Sequence, residues 1–170
     1  MQTLKSKKLM LLLISLSAIF FFGVTTSLAQ EKIKIQGKRF GTFESKASVK
    51  LDDTEGHTLG AGLGKGVDVI TGSIFITGST SDLVKGNGTH QGYTKTIDKD
   101  GDITFSKFQG KISTTMSPKG RPLVTFEGTW SFTKGTGKLM NIQGNGSYKG
   151  KFIGPGIYTY DIEGESFIKK

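Results

Sequence analysis

The sequence predicts an all-β fold, and three observations carry that expectation. Several stretches alternate apolar and polar residues with period two, the pattern of a strand with one buried face. Turn signals rich in Gly, Pro and Asp recur about every 10–15 residues. No stretch after residue 29 shows the 3.6-residue apolar period of an amphipathic helix. The clearest strand begins at Val124. Val124, Phe126, Gly128, Trp130 and Phe132 share one side, and Thr125, Glu127, Thr129, Ser131 and Thr133 the other. A glycine-punctuated corner, Gly135-Thr136-Gly137, follows. After a short turn the chain returns as a second arm, Ser147–Phe152.

The other elements follow in order. Ile33 and Ile35 alternate with Lys32 and Lys34, with bends expected at Gly37 and Gly41. A second short strand is expected over Ala47–Leu51, ending in the acidic turn Asp52-Asp53-Thr54-Glu55-Gly56. Gly60, Gly62, Gly64 and Gly66 then alternate strictly. In a strand they leave one face without side chains, giving room for another element or a ligand. The Gly-Leu-Gly-Lys-Gly run within them lacks the Gly-x-x-x-x-Gly-Lys-Ser/Thr spacing of a phosphate loop, and no helix pattern follows it. A strand is expected over Val67–Thr77 with a bend at Gly72, a loop over residues 78–82, and one long arm from Leu83 to Ile97. Asp98-Lys99-Asp100-Gly101-Asp102 turns the chain into Ile103–Thr115, and Pro118–Pro122 turns it again. Gly154-Pro155-Gly156 precedes a last strand over Ile157–Ile168.

This makes seven to nine strands joined by hairpins, hence an antiparallel sheet. A flat sheet of that length would expose two edges, and closure removes them. The expected architecture is a single antiparallel β-barrel of about eight strands, with room inside for side chains or one small ligand. A β-sandwich is the alternative.

Residues 1–29 read as a cleaved signal peptide, with residues 30–170 as the barrel domain. Lys5, Lys7 and Lys8 form a basic start, Leu9–Val24 is apolar apart from Ser15 and Ser17, and Ser27-Leu28-Ala29 is a small-x-small cleavage site. An uncleaved anchor is the rival reading. The protein is therefore expected to be exported, periplasmic or secreted, without stable membrane insertion after cleavage. Loss of three lysines and no acids takes the net charge from +9 to +6. The remaining lysines are scattered rather than clustered, which fits a solvated surface and argues against a nucleic-acid partner. Cysteine is absent, so thiol catalysis and cysteine metal sites are excluded.

The order Trp130, Gly135-Thr136-Gly137-Lys138, Leu139, then Gly144-x-Gly146-x-Tyr148 resembles the closing hairpin of allene oxide cyclase-like and dirigent-like β-barrel proteins. Leu139 stands where those families usually carry an aromatic. The likeness is close over about twenty residues, and strand rhythm and length extend it over the rest. It implies a barrel whose apolar cavity takes a reactive or oily small molecule, steering its chemistry by shape, with no metal or organic cofactor. No catalytic residue of those families maps onto this chain.

Candidate residues have alternative readings. Asp98, Asp100 and Asp102 alternate as in the first half of a calcium loop, but the Glu of position 12 is replaced by Gln109. Asp-Gly between two β arms reads more simply as a hairpin turn, so no metal site is expected. His57 and His90 are the only histidines. Surface positions are expected for both, with His90 or Tyr93 at a barrel mouth as the alternative. Glu127 on the polar face is expected to be an ordinary surface acid. Tyr93, Phe126, Trp130, Phe132, Tyr158 and Tyr160 are the candidate ligand-binding residues: aromatic walls with a few polar tips suit a hydrophobic ligand. The simpler reading is that they fill the core. No Ser-His-Asp set, zinc spacing or dinucleotide fingerprint is present, and no catalytic residue is assigned. The expected function is non-catalytic binding of a small hydrophobic molecule. A cofactor-independent cyclase or isomerase using the same cavity is one alternative, and a structural or surface-interaction protein with a filled core is another.

Overall fold

The computed structural model describes residues 31–169. They form a closed antiparallel barrel of eight strands in sequential order: β1 (Ile33–Leu51), β2 (His57–Asp68), β3 (Ile74–Val84), β4 (Asn87–Ile97), β5 (Ile103–Met116), β6 (Pro122–Gly135), β7 (Ile142–Gly154) and β8 (Ile157–Ile168). β8 pairs with β1, from Ile33 opposite Ser166 to Thr42 opposite Ile157, so every edge is satisfied. The expected leader lies outside the described residues. Among the described residues no helix is long and apolar enough to cross a membrane.

Several strand boundaries differ from the sequence expectation, each for a local reason. Glu31–Phe43 and Ala47–Leu51 are one strand, β1, whose register shifts between Phe43 and Ser45. Glu44 is the extra residue of a bulge, and it switches the inward-facing parity from Arg39, Gly41 and Phe43 to Lys46 and Ser48. The expected strand Val67–Thr77 is cut at Asp68. Its carboxylate accepts the amides of Ile70 (3.1 Å) and Thr71 (3.3 Å), and Gly72 turns with φ +74°. Residues 78–82 are not a loop but part of β3. The long arm 83–97 breaks at Lys85-Gly86, where φ of 51° and 77° makes a two-residue hairpin with Val84 opposite Asn87. Lysine is an uncommon residue for the first of those positions, so the turn carried little sequence signal.

Alternation and closure together decide the two ends. The β2–β3, β4–β5 and β6–β7 connections share one end of the barrel with the start of β1, and it is packed. Trp130, Tyr148 and Ile162 form a buried cluster, with Ile35 and Phe132 against it. Phe75 is fully buried nearby, 1 % exposed. Trp130 and Phe132 meet edge to face with ring centres 5.0 Å apart. Here the Gly-Thr-Gly corner is fastened to the β4–β5 turn: Thr136 exchanges bonds with Ile103, and the Lys138 amide donates to Asp102.

Inward glycines explain how so many aromatics fit. The indole of Trp130 on β6 lies across Gly146 on β7 and Gly164 on β8. A methyl at Gly164 would stand 2.7 Å from the ring. The indole N–H donates to the Ser147 and Glu163 carbonyls, both at 3.2 Å. Phe75 sits on Gly66, Phe43 on Gly62, Phe108 on Gly92 and Phe126 on Gly150 in the same manner. Each ring lies along the wall because its neighbouring strand has no side chain there. The barrel is therefore rich in aromatics and still has a lumen.

Candidate functional site

The lumen is a cavity of about 540 Å³, within the range of small-molecule sites. Its lining reaches from Trp130, Ile162 and Arg39 at the packed end to Ser48, Thr58, Leu83, Gly86, Thr114 and Val124 at the other. Those last residues sit beside the β1–β2, β3–β4, β5–β6 and β7–β8 turns, which form the mouth. The two sides of the cavity differ. β6 to β8 contribute Phe126, Tyr148, Phe152, Tyr158 and Tyr160, whereas β3 and β4 contribute the hydroxyls of Thr77, Ser79, Ser81 and Thr94. Thr94 donates to Thr77, and Thr77 donates to the Tyr93 carbonyl.

Two tyrosines lie across pairs of glycines. Tyr148 on β7 crosses Gly128 on β6 and Gly110 on β5, where methyls would stand 2.5 and 2.6 Å from its hydroxyl, and ends on His90 of β4. The Tyr148 hydroxyl is 2.7 Å from His90 Nε2. Burial lowers the His90 pKa from 6.5 to about 4, so the ring is neutral at pH 7. Burial also pushes the Tyr148 hydroxyl above its usual range, keeping its proton on. His90 Nε2 is its hydrogen-bond partner, so the hydroxyl donates to Nε2, the histidine proton rests on Nδ1, and Nδ1 has no partner among the described residues. Tyr158 on β8 crosses Gly41 on β1 and reaches Gly64 on β2, where a methyl would stand 2.7 Å from its hydroxyl. That hydroxyl is buried, has no hydrogen-bond partner among the described residues, and is likewise held protonated by burial.

Arg39 on β1 is the cation of the deep wall. Its Nε–H donates to Asp68 at 3.3 Å and an Nη1–H to the Tyr160 hydroxyl at 3.4 Å, and its guanidinium lies 5.2 Å from the Phe75 ring centre. The pair is shielded, with 12 % and 4 % of the two side chains exposed. Lys46 marks the rim, its Nζ 4.6 Å from the Phe43 ring centre.

Of the residues chosen from sequence, Phe126, Trp130, Tyr158 and Tyr160 line this cavity. Phe132 packs behind Trp130 in the floor rather than facing the space. Tyr93 is on the outer face of β4, 67 % exposed, because Gly92 and Thr94 take the inward positions. His90, expected at the surface, points inward. His57 sits at the rim between Asp53 (2.7 Å) and Asp82 (2.8 Å). Glu127 is exposed on the outer face, 3.7 Å from Lys149. The Asp98 carboxylate accepts the amides of Asp100 and Asp102 as a turn does, and among the described residues no acid and histidine group is arranged to hold a metal. Sequence reasoning missed Arg39, His90 and Tyr148 as lumen residues. The parity of β4 and the glycines at 110 and 128 carried that signal.

The scan against protein-family models finds no match, and no curated protein matches the sequence. Among solved structures, the barrel is similar to a protein of unknown function from the DUF3224 family of Shewanella oneidensis MR-1. The TM-score is 0.55 at 14 % identity, over 82 % of this chain and 99 % of that one. At that identity the likeness speaks to the fold alone.

Proposed function

We propose that this protein is an exported barrel that binds a small hydrophobic molecule in its lumen, in the manner of the allene oxide cyclase-like and dirigent-like barrels it resembles. The observation that carries this reading is the cavity of about 540 Å³, walled by aromatic faces laid on glycines. A barrel that served only as a filled structural block would send side chains across the lumen rather than lay its rings flat against the wall, and would have no use for the space. The test uses the single tryptophan, Trp130, which stands at the cavity floor. N-phenyl-1-naphthylamine titrated into the purified protein should bind saturably at one per chain and draw energy from Trp130. Uptake that never saturates, or that leaves Trp130 emission unchanged, would overturn the reading.

The His90–Tyr148 pair favours a second reading, a cofactor-independent cyclase or isomerase working in the same cavity. A neutral imidazole and a protonated phenol in an apolar site are suited to relaying a proton. On this reading His90→Gln would abolish turnover of a bound substrate while the naphthylamine still binds. Equal turnover in the variant would exclude it.

A further inference from the structure

The polar groups of the lumen are unevenly spent. Charged residues in its lining are Arg39 and Lys46, with no acid among them. The carboxylate beside the cavity, Asp68, shares the inward face of β2 with Gly64 and Gly66 and lies beneath Arg39 in the packed floor, and its oxygens accept from Arg39 and from the amides of Ile70 and Thr71. Arg39 has five N–H donors. Two have partners among the described residues, Asp68 and Tyr160, which leaves three. Tyr158 is 5 % exposed, and its hydroxyl has no acceptor among the described residues. Among the described residues Lys46 has no carboxylate partner; it stands over the Phe43 and Phe152 rings, 4.6 and 5.9 Å from their centres. A buried donor without an acceptor is costly, and a ligand that brings the acceptor recovers that cost. A ligand that brings an ammonium, which only donates, meets the spare N–H donors of Arg39 and the rim cation Lys46.

Resting on the binding reading above, we propose that the ligand is an apolar molecule carrying a hydrogen-bond-accepting oxygen group, a carbonyl or a carboxylate, at the end lodged between Arg39 and Tyr158. Its apolar body then runs along Phe126 and Phe152 toward the mouth. Tyr158 is the specificity-determining donor, and Gly41 and Gly64 are what let its hydroxyl reach across to the Arg39 side of the lumen.

The experiment is competition for the naphthylamine site by a chain-matched set: dodecanoic acid, 2-dodecanone and dodecylamine. The acid and the ketone should displace the probe, and the amine should be weaker by about tenfold or more. In Tyr158→Phe, which removes a hydroxyl that no protein group among the described residues uses, the melting temperature should hold while the acid and the ketone weaken about tenfold relative to the probe's own affinity in the same variant. Lys46→Gln then separates the two sources of acceptor oxygen: selective weakening of the acid identifies a carboxylate ligand, and no change identifies a carbonyl, both within the proposal. If the amine competes as well as the acid, or if Tyr158→Phe leaves acid and ketone unchanged while the probe still binds, the proposal is overturned and the binding reading survives. If the native protein takes up no probe, the binding reading itself falls.

Discussion

Tyr148 and Tyr158 are built alike and finish differently. Each leaves its strand, lies flat over glycines of neighbouring strands, and carries its hydroxyl across the wall of the lumen. Tyr148 finishes on His90, 2.7 Å away, and so ties β7 to β4 across strands that do not pair. Tyr158 finishes without a partner among the described residues. The same packing device thus makes a structural tie in one place and leaves a free donor in the other. A ring seated on glycine is positioned by shape alone, so its polar tip need not hold the fold together. A donor left over in this way can serve a ligand.

The seat itself sets the largest effect. Trp130 uses the same device with both functions satisfied, its ring on Gly164 and its N–H on two carbonyls. Trp130→Ala should cost about 3–5 kcal/mol, read by denaturant unfolding; a near-neutral result would mean that seated rings contribute little. Tyr148→Phe comes next. It leaves His90 Nε2 buried without its donor, and the expected loss is about 1–3 kcal/mol. A cost equal to that of Tyr158→Phe would erase the distinction between the two tyrosines. Tyr158→Phe is expected to lie within about 0.5 kcal/mol of native or slightly above it, since the lost hydroxyl has no protein partner.

The histidines sharpen the comparison through pH, with opposite signs. For His90 the folded pKa, about 4, lies below the unfolded 6.5. The unfolded chain therefore binds the extra proton first, and stability falls as pH drops from about 6.5 toward 4. Allowing for partial exposure of the ring, the loss is on the order of 2 kcal/mol, and His90→Gln should remove it from the pH profile. For His57 the pKa is raised above 6.5 by the hydrogen bonds to Asp82 and then Asp53. Its contribution is fully present below pH 6.5 and disappears as pH rises through the raised value. This is the smallest effect, because the site is at the rim. Imidazole proton shifts followed across the pH range should show His57 titrating above 6.5 and His90 well below it; the reverse order would place His90 in solvent.

Much of this molecule was legible as strand alternation. Val124–Phe132 declared its inward face, and closure followed from the cost of open edges. Boundaries were missed where the turn chemistry was unusual, as at Lys85-Gly86, or was made by a side chain, as at Asp68. Tyr93 was misplaced because a long arm that in fact contains a hairpin cannot be given a face until its turn is located. The face of a strand residue flips with each single-residue shift. The bulge at Glu44 makes the same point for Lys46, which reaches the lumen rim only because one extra residue reverses the parity of β1.

By itself, then, the sequence determined the fold class, the strand rhythm and the glycine spacing, because period-two alternation and turn propensity are local properties that a chain carries wherever it goes. Which glycine serves which ring, which tyrosine finds a histidine, and that Arg39 meets Asp68 in the floor of the lumen were decided only by the tertiary structure. Such partners lie up to 121 residues apart, and they meet through register and closure, which no local pattern encodes.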